Sequence, residues 1–149
     1  MDRSFMSCGY LLARGYVFAC GIVLILSVYA SQVVMPGLYY DAGPAPPWPD
    51  RAIGTVGGLA YALLLVLPYR WSTRGWTFRV RLTLLVLASL WLAFAAAGGI
   101  YSFMEGGKDW LIVPVSVLIF ALAILAPGAL LARKKMDSQQ QKQVSGTFS

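Results

Sequence analysis

Four apolar runs that contain no charged side chain govern what this chain can fold into. They cover residues 15–35, 52–69, 82–101 and 111–132, and each is 18 to 22 residues long. A helix that crosses about 30 Å of hydrocarbon needs about 20 residues. Inside hydrocarbon every backbone amide must be paired within its own segment or in a closed barrel. Barrel strands would alternate polar and apolar residues over about 10 positions, and these runs do not. Composition agrees: 58% of the 149 residues are hydrophobic and 12% charged, about half the charge of a soluble domain. The expected fold is all-α and integral to the membrane. It is a four-transmembrane-helix bundle forming a single membrane domain over residues 1–149.

Orientation follows from lysine and arginine in the short loops. Arg3 and Arg14 precede the first run, and Arg70, Arg74, Arg79 and Arg81 lie between the second and third. Arg133, Lys134, Lys135 and Lys142 follow the fourth, and only Arg51 and Lys108 fall on the other side. This ten-to-two division predicts both termini in the cytoplasm, N-in and C-in, with the chain multi-pass in a bacterial inner (plasma) membrane. The acids follow it: Asp41, Asp50, Glu105 and Asp109 fall outside, Asp2 and Asp137 inside. The inner side then sums to +8 and the outer to −2, which accounts for the net +6. Positive loops against anionic headgroups explain that charge without nucleic acid.

The first run has a basic front and a small-residue pattern at Val28-Tyr29-Ala30 that resembles a cleavage site. The apolar character continues through Val33, Val34 and Met35, so an uncleaved anchor is expected. The first outer loop, 36–51, holds five prolines, which exclude helix or strand interior and favour a stiff extended connector. Its aromatic residues Tyr39, Tyr40 and Trp48, with Asp50 and with Trp110 from the second outer loop, are the candidate partner-binding residues. The competing reading is that these aromatics only anchor helix ends in the interfacial belt. The inner loop, 70–81, mixes Trp71 and Trp76 with four arginines and suits a segment lying against lipid headgroups. Residues 133–149 are polar and are expected to form a mobile cytoplasmic tail.

Small residues mark candidate helix-packing faces. Gly54, Gly58 and Ala62 repeat at four-residue spacing in the second run, and Ser89, Ala93 and Ala97 do so in the third. Such faces serve this bundle, another membrane protein or a second copy of the chain. Pro114 and Pro127 are expected to kink the fourth run.

The chain offers little material for catalysis. Histidine is absent, and Cys8 and Cys20 stand about 18 Å apart if they share one helix. That is too far for a disulfide, so both are expected to be free thiols. No nucleophile, base and orienting group can be assembled. No catalytic residue, cofactor or metal is expected. No ionisable residue lies inside the spans, where one would suggest an ion or proton path.

The favoured function is therefore non-enzymatic: a small inner-membrane protein acting by protein–protein contact. Its partner would be a membrane or periplasmic protein, either a toxin it neutralises or a complex to which it is an accessory subunit. Four spans with both ends inside and short loops resemble the immunity proteins against pore-forming toxins. That resemblance is one of architecture and rests on no motif. The alternative is a small oligomeric channel or transporter for a neutral substrate.

Overall fold

A computed structural model describes residues 3–34, 47–106 and 110–147. The described residues are helical throughout, apart from short turns. Helix α1 spans Arg3–Tyr29 and passes into a π-helical turn at Ala30–Val34. Helix α2 spans Trp48–Val66, a 3-10 turn covers Tyr69–Ser72, α3 spans Gly75–Met104 and α4 spans Ile112–Thr147. Three of these helical segments are long and apolar enough to cross a membrane: Cys8–Val34, Gly75–Met104 and Ile112–Gly146. Helix α2 is shorter, with only Arg51–Val66 counting as its apolar part.

The sequence suggested that the second run would stay helical to Tyr69, and it does not. A proline disfavours helical backbone at the residue before it. Leu67, which precedes Pro68, is accordingly extended, with φ −52° and ψ 137°. The connector therefore starts three residues earlier than hydropathy suggests, after Val66 rather than after Tyr69.

The chain divides into two compact units. One comprises Met1–Tyr16 together with Pro68–Ser149, and the other is Val17–Leu67. Within the first, α3 and α4 run antiparallel. Lys134 Nζ lies 4.0 Å from the centre of the Phe78 ring near one end of the pair. At the other end, Gly99 faces Ser116 and Ile112. The packed face of α3 carries Phe78, Arg81, Leu85, Ser89 and Ala96. Leu122, Ala123, Ala126, Ala129 and Leu130 are the buried apolar residues of α4, at the three- and four-residue intervals of one helix face. The N-terminal part of α1 joins this unit through Tyr16, whose hydroxyl donates to the Leu118 carbonyl at 2.6 Å.

Within the second unit the remainder of α1 and α2 also run antiparallel. Gly21 lies against Ala62, Leu65 and Val66, and Gly58 lies against Val28. Arg51 Nη1 donates to the Gln32 carbonyl at 2.8 Å. A π-helical turn widens the helix and shifts its hydrogen-bond ladder, and Gln32 sits within that turn.

One further expectation is corrected. Pro114 is the third residue of α4, where an amide has no intrahelical acceptor to lose, so only Pro127 removes a bond from the helix interior. Residues beyond Ala132 do not leave the helix: α4 continues to Thr147. Arginine, lysine, methionine and glutamine are good helix formers, and no proline follows Pro127 to stop them.

Candidate functional site

The densest polar construction among the described residues sits where the connector after α2 meets the start of α3. Pro68 and the 3-10 turn fold the chain tightly, and three side chains hold it. Ser72 Oγ donates to the Tyr69 carbonyl at 3.5 Å, Thr73 Oγ1 to the Arg70 carbonyl at 3.4 Å and Thr77 Oγ1 to the Arg74 carbonyl at 2.8 Å. Helix α3 then opens at Gly75, whose φ of +62° is the left-handed conformation that glycine adopts without a side-chain clash.

Tyr69 is the centre of this construction and is 3% exposed. The guanidinium of Arg14 lies 4.1 Å from its ring centre, and that of Arg81 lies 4.7 Å away. The Tyr69 hydroxyl also approaches the Ala126 carbonyl at 3.4 Å. Burial raises its pKa above the ordinary 10.0, and the positive charges of Arg14 and Arg81 pull the other way. Arg81 is 5% exposed. Its Nη1 donates to Ser72 Oγ at 2.7 Å and to the Pro68 carbonyl at 3.2 Å. A cation this deep requires hydrogen-bond acceptors and a ring face around it. Residues of α1, the connector, α3 and α4 thus meet on one tyrosine. Charge counting placed Arg14 and Arg81 on the inner side, but it could not show that both serve one ring.

Beside this knot a groove of about 910 Å³ opens to the surface. Arg70, Thr73, Arg74 and Gly75 form one wall. The other carries Lys134, Asp137, Ser138, Gln141 and Val144, which recur at three- and four-residue intervals along the extension of α4. A polar wall exists here only because that extension is helical.

At the far end of the α3–α4 pair, Trp110, Leu111, Ile112 and Val115 border an apolar recess of about 370 Å³. Trp110 is 71% exposed. Nearby, the Tyr101 hydroxyl donates to Glu105 Oε1 at 2.6 Å and ties down the end of α3. In the other unit, Trp48 occupies the first turn of α2 and is also exposed. The Arg51 guanidinium lies 5.5 Å from its ring centre. Tyr39, Tyr40 and the Asp50 side chain lie outside the described residues.

The small-residue positions divide. Gly58 and Ala62 lie in close contact with α1, whereas a side chain added at Gly54 would meet nothing within 4 Å. Ser89 is buried, Ala93 half-buried and Ala97 exposed, while Ala96 is buried beside them. Sequence reasoning did not single out Tyr69 or Gly21. Tyr69 had a signal, as an aromatic at the junction of an apolar run with an arginine cluster. Cys8 and Cys20 are free thiols on the continuous helix α1.

No protein family, curated protein or solved structure matches the chain.

Proposed function

We propose that this chain is a non-enzymatic, four-crossing inner-membrane protein that acts by contact with a second protein at its outer face. Three helices have the length and apolarity to cross. The antiparallel return of α2 along α1 supports reading it as a fourth crossing, and the ten-to-two division of basic residues supports both termini inside. The carrying observation is Trp110, exposed at the lip of an apolar recess and followed by exposed Leu111 and Val115. Tryptophan is the residue type that most often dominates binding energy at interfaces, above all where it fills or borders a pocket. Trp48, steadied by Arg51, presents a second such ring. The partner is either a toxin that is neutralised at this face or a complex to which the chain is an accessory subunit.

The test is co-purification from membranes under gentle detergent. Trp110→Ala and Trp48→Ala should each reduce recovery of the partner by about tenfold or more, with the variant remaining abundant and inserted. Full recovery from both variants would show that these rings are only interfacial anchors. Reporter fusions at Ser149 check the topology, and periplasmic signal there would overturn it. Protection of cells against a toxin separates the immunity role from the accessory one.

A further inference from the structure

We propose that the groove between the connector and the extension of α4 is a binding site for a phosphate-bearing anion, with an anionic lipid headgroup as the natural source. Arg70 and Arg74 enter it from the connector and Lys134 from α4. One acid lines it, Asp137, whose Oδ1 is 3.1 Å from Nε of Arg133 on the same helix. Three cations thus line one cavity from two separate elements, Lys134 with its ammonium also 4.0 Å from the centre of the Phe78 ring.

The backbone adds to the attraction. Gly75 lines the groove and begins the 30-residue helix α3. The first amides of a helix have no internal acceptors, and its N-terminus carries partial positive charge. The residue before Gly75, Arg74, makes no side-chain capping bond. An anion beside Gly75 would lie at that N-terminus with Arg74 next to it, the arrangement by which helix N-termini hold phosphate. Ser138, Gln140 and Gln141 supply further neutral donors along the α4 wall.

Depth favours a lipid as the source. Lys134 lies two residues beyond the uncharged apolar run of α4, which ends at Ala132, and the headgroup layer extends about 5–7 Å beyond the hydrocarbon. Trp71 and Trp76 flank the groove residues in sequence and are 69% and 65% exposed, as interfacial tryptophans are. The site is independent of the outer-face contact, since it lies at the opposite end of the α3–α4 pair.

The experiment compares two triple variants of the full-length protein with the same loss of charge. Arg70→Gln/Arg74→Gln/Lys134→Gln empties the groove of cations. Arg79→Gln/Lys135→Gln/Lys142→Gln removes three inner-side cations that do not line it. Each protein is purified in neutral detergent and titrated with phosphatidylglycerol in mixed micelles, with phosphatidylcholine as the control lipid, and separately with inorganic phosphate. Wild type should bind phosphatidylglycerol in preference to phosphatidylcholine. The groove triple should weaken that binding about tenfold or more, and the outside triple should leave it within about twofold. Binding of inorganic phosphate with the same pattern, and not of the lipid, would assign the site to a soluble phosphate. Equal weakening in both triples, or no binding of either probe, would overturn the proposal.

Discussion

The guanidinium of Arg14 lies 4.1 Å from the centre of the Tyr69 ring. These residues are 55 positions apart by subtraction of their numbers, so the contact ties the start of α1 to the connector that leads into α3. It is a long-range bond in a unit whose other interfaces are mainly contacts between apolar and small side chains. Two guanidiniums on one ring are each worth about 0.5–2 kcal/mol, the upper figure applying where water is excluded.

Tyr69→Leu should therefore destabilise the protein by about 2–4 kcal/mol, because it removes the ring from both arginines and leaves Arg81 buried without that face. Tyr69→Phe keeps the ring and loses only the hydroxyl contacts, at about 1 kcal/mol. The midpoint of unfolding in a denaturing-detergent titration measures both. Equal midpoints for the two variants would show that the ring contacts contribute nothing.

Alkaline pH probes the same residue. Burial raises the Tyr69 phenol above its ordinary 10.0 despite the two arginines. Between the unfolded and folded pKa values the native state keeps a proton that the unfolded chain has released. That contribution to stability is complete below about pH 10 and is lost as pH rises through the folded value. Wild type should lose stability above about pH 10 more steeply than Tyr69→Phe, which has no phenol to titrate at this position. Parallel stability curves for the two proteins would sink this reading.

The apolar runs revealed three membrane-length helices in the sequence because length and absence of charge are local properties. The packing faces were legible only in part. A repeat of four residues advances about 400° on a helix of 3.6 residues per turn, so each step drifts about 40° from the contact line. From Ser89 the stripe reaches Ala97 some 80° off that line, while Ala96 stays within about 20° of it. Accordingly Ala96 is 2% exposed and Ala97 lies outside the packed face. The Tyr69 knot was illegible for a different reason. Charge counting places a residue on a side of the membrane, and it carries no information about which ring an arginine will meet.

Glycine substitutions test the α1–α2 packing directly. A Cβ at Gly21 would sit 2.7 Å from Val66 Cγ2, 3.0 Å from Leu65 Cβ and 3.3 Å from the Ala62 carbonyl oxygen. The Val66 methyl can rotate, but the other two atoms move only with the backbone of α2. Gly21→Ala should cost about 1–3 kcal/mol, the usual penalty of overpacking. Gly54→Ala meets nothing within 4 Å. It should be neutral or stabilise by up to about 1 kcal/mol through helix propensity alone. Unfolding midpoints of the two variants should move in different directions or by clearly different amounts. A Gly54→Ala variant as damaged as Gly21→Ala would mean that the small-residue stripe is packed along its whole length.

The extension of α4 gives the last prediction. Its local bonds are weak individually: the Arg133–Asp137 pair at 3.1 Å is partly exposed, and Ser138 and Ser145 bond back to the carbonyls of Lys135 and Lys142. Exposed pairs of this kind contribute about 0.3–0.5 kcal/mol. The extension nevertheless starts from a helix already nucleated by packing, so each added residue needs only favourable propagation. Amide hydrogen exchange in detergent should show protection continuing past Lys135 and declining toward Thr147. Gln140→Pro should remove protection around and beyond the substitution, because proline in a helix interior costs about 3 kcal/mol. The unfolding midpoint of the protein should stay where it was, since the packed part of α4 ends before that residue. Exchange at unstructured rates from Lys135 onward in the wild-type chain would show a free tail, and the α4 wall of the groove would go with it.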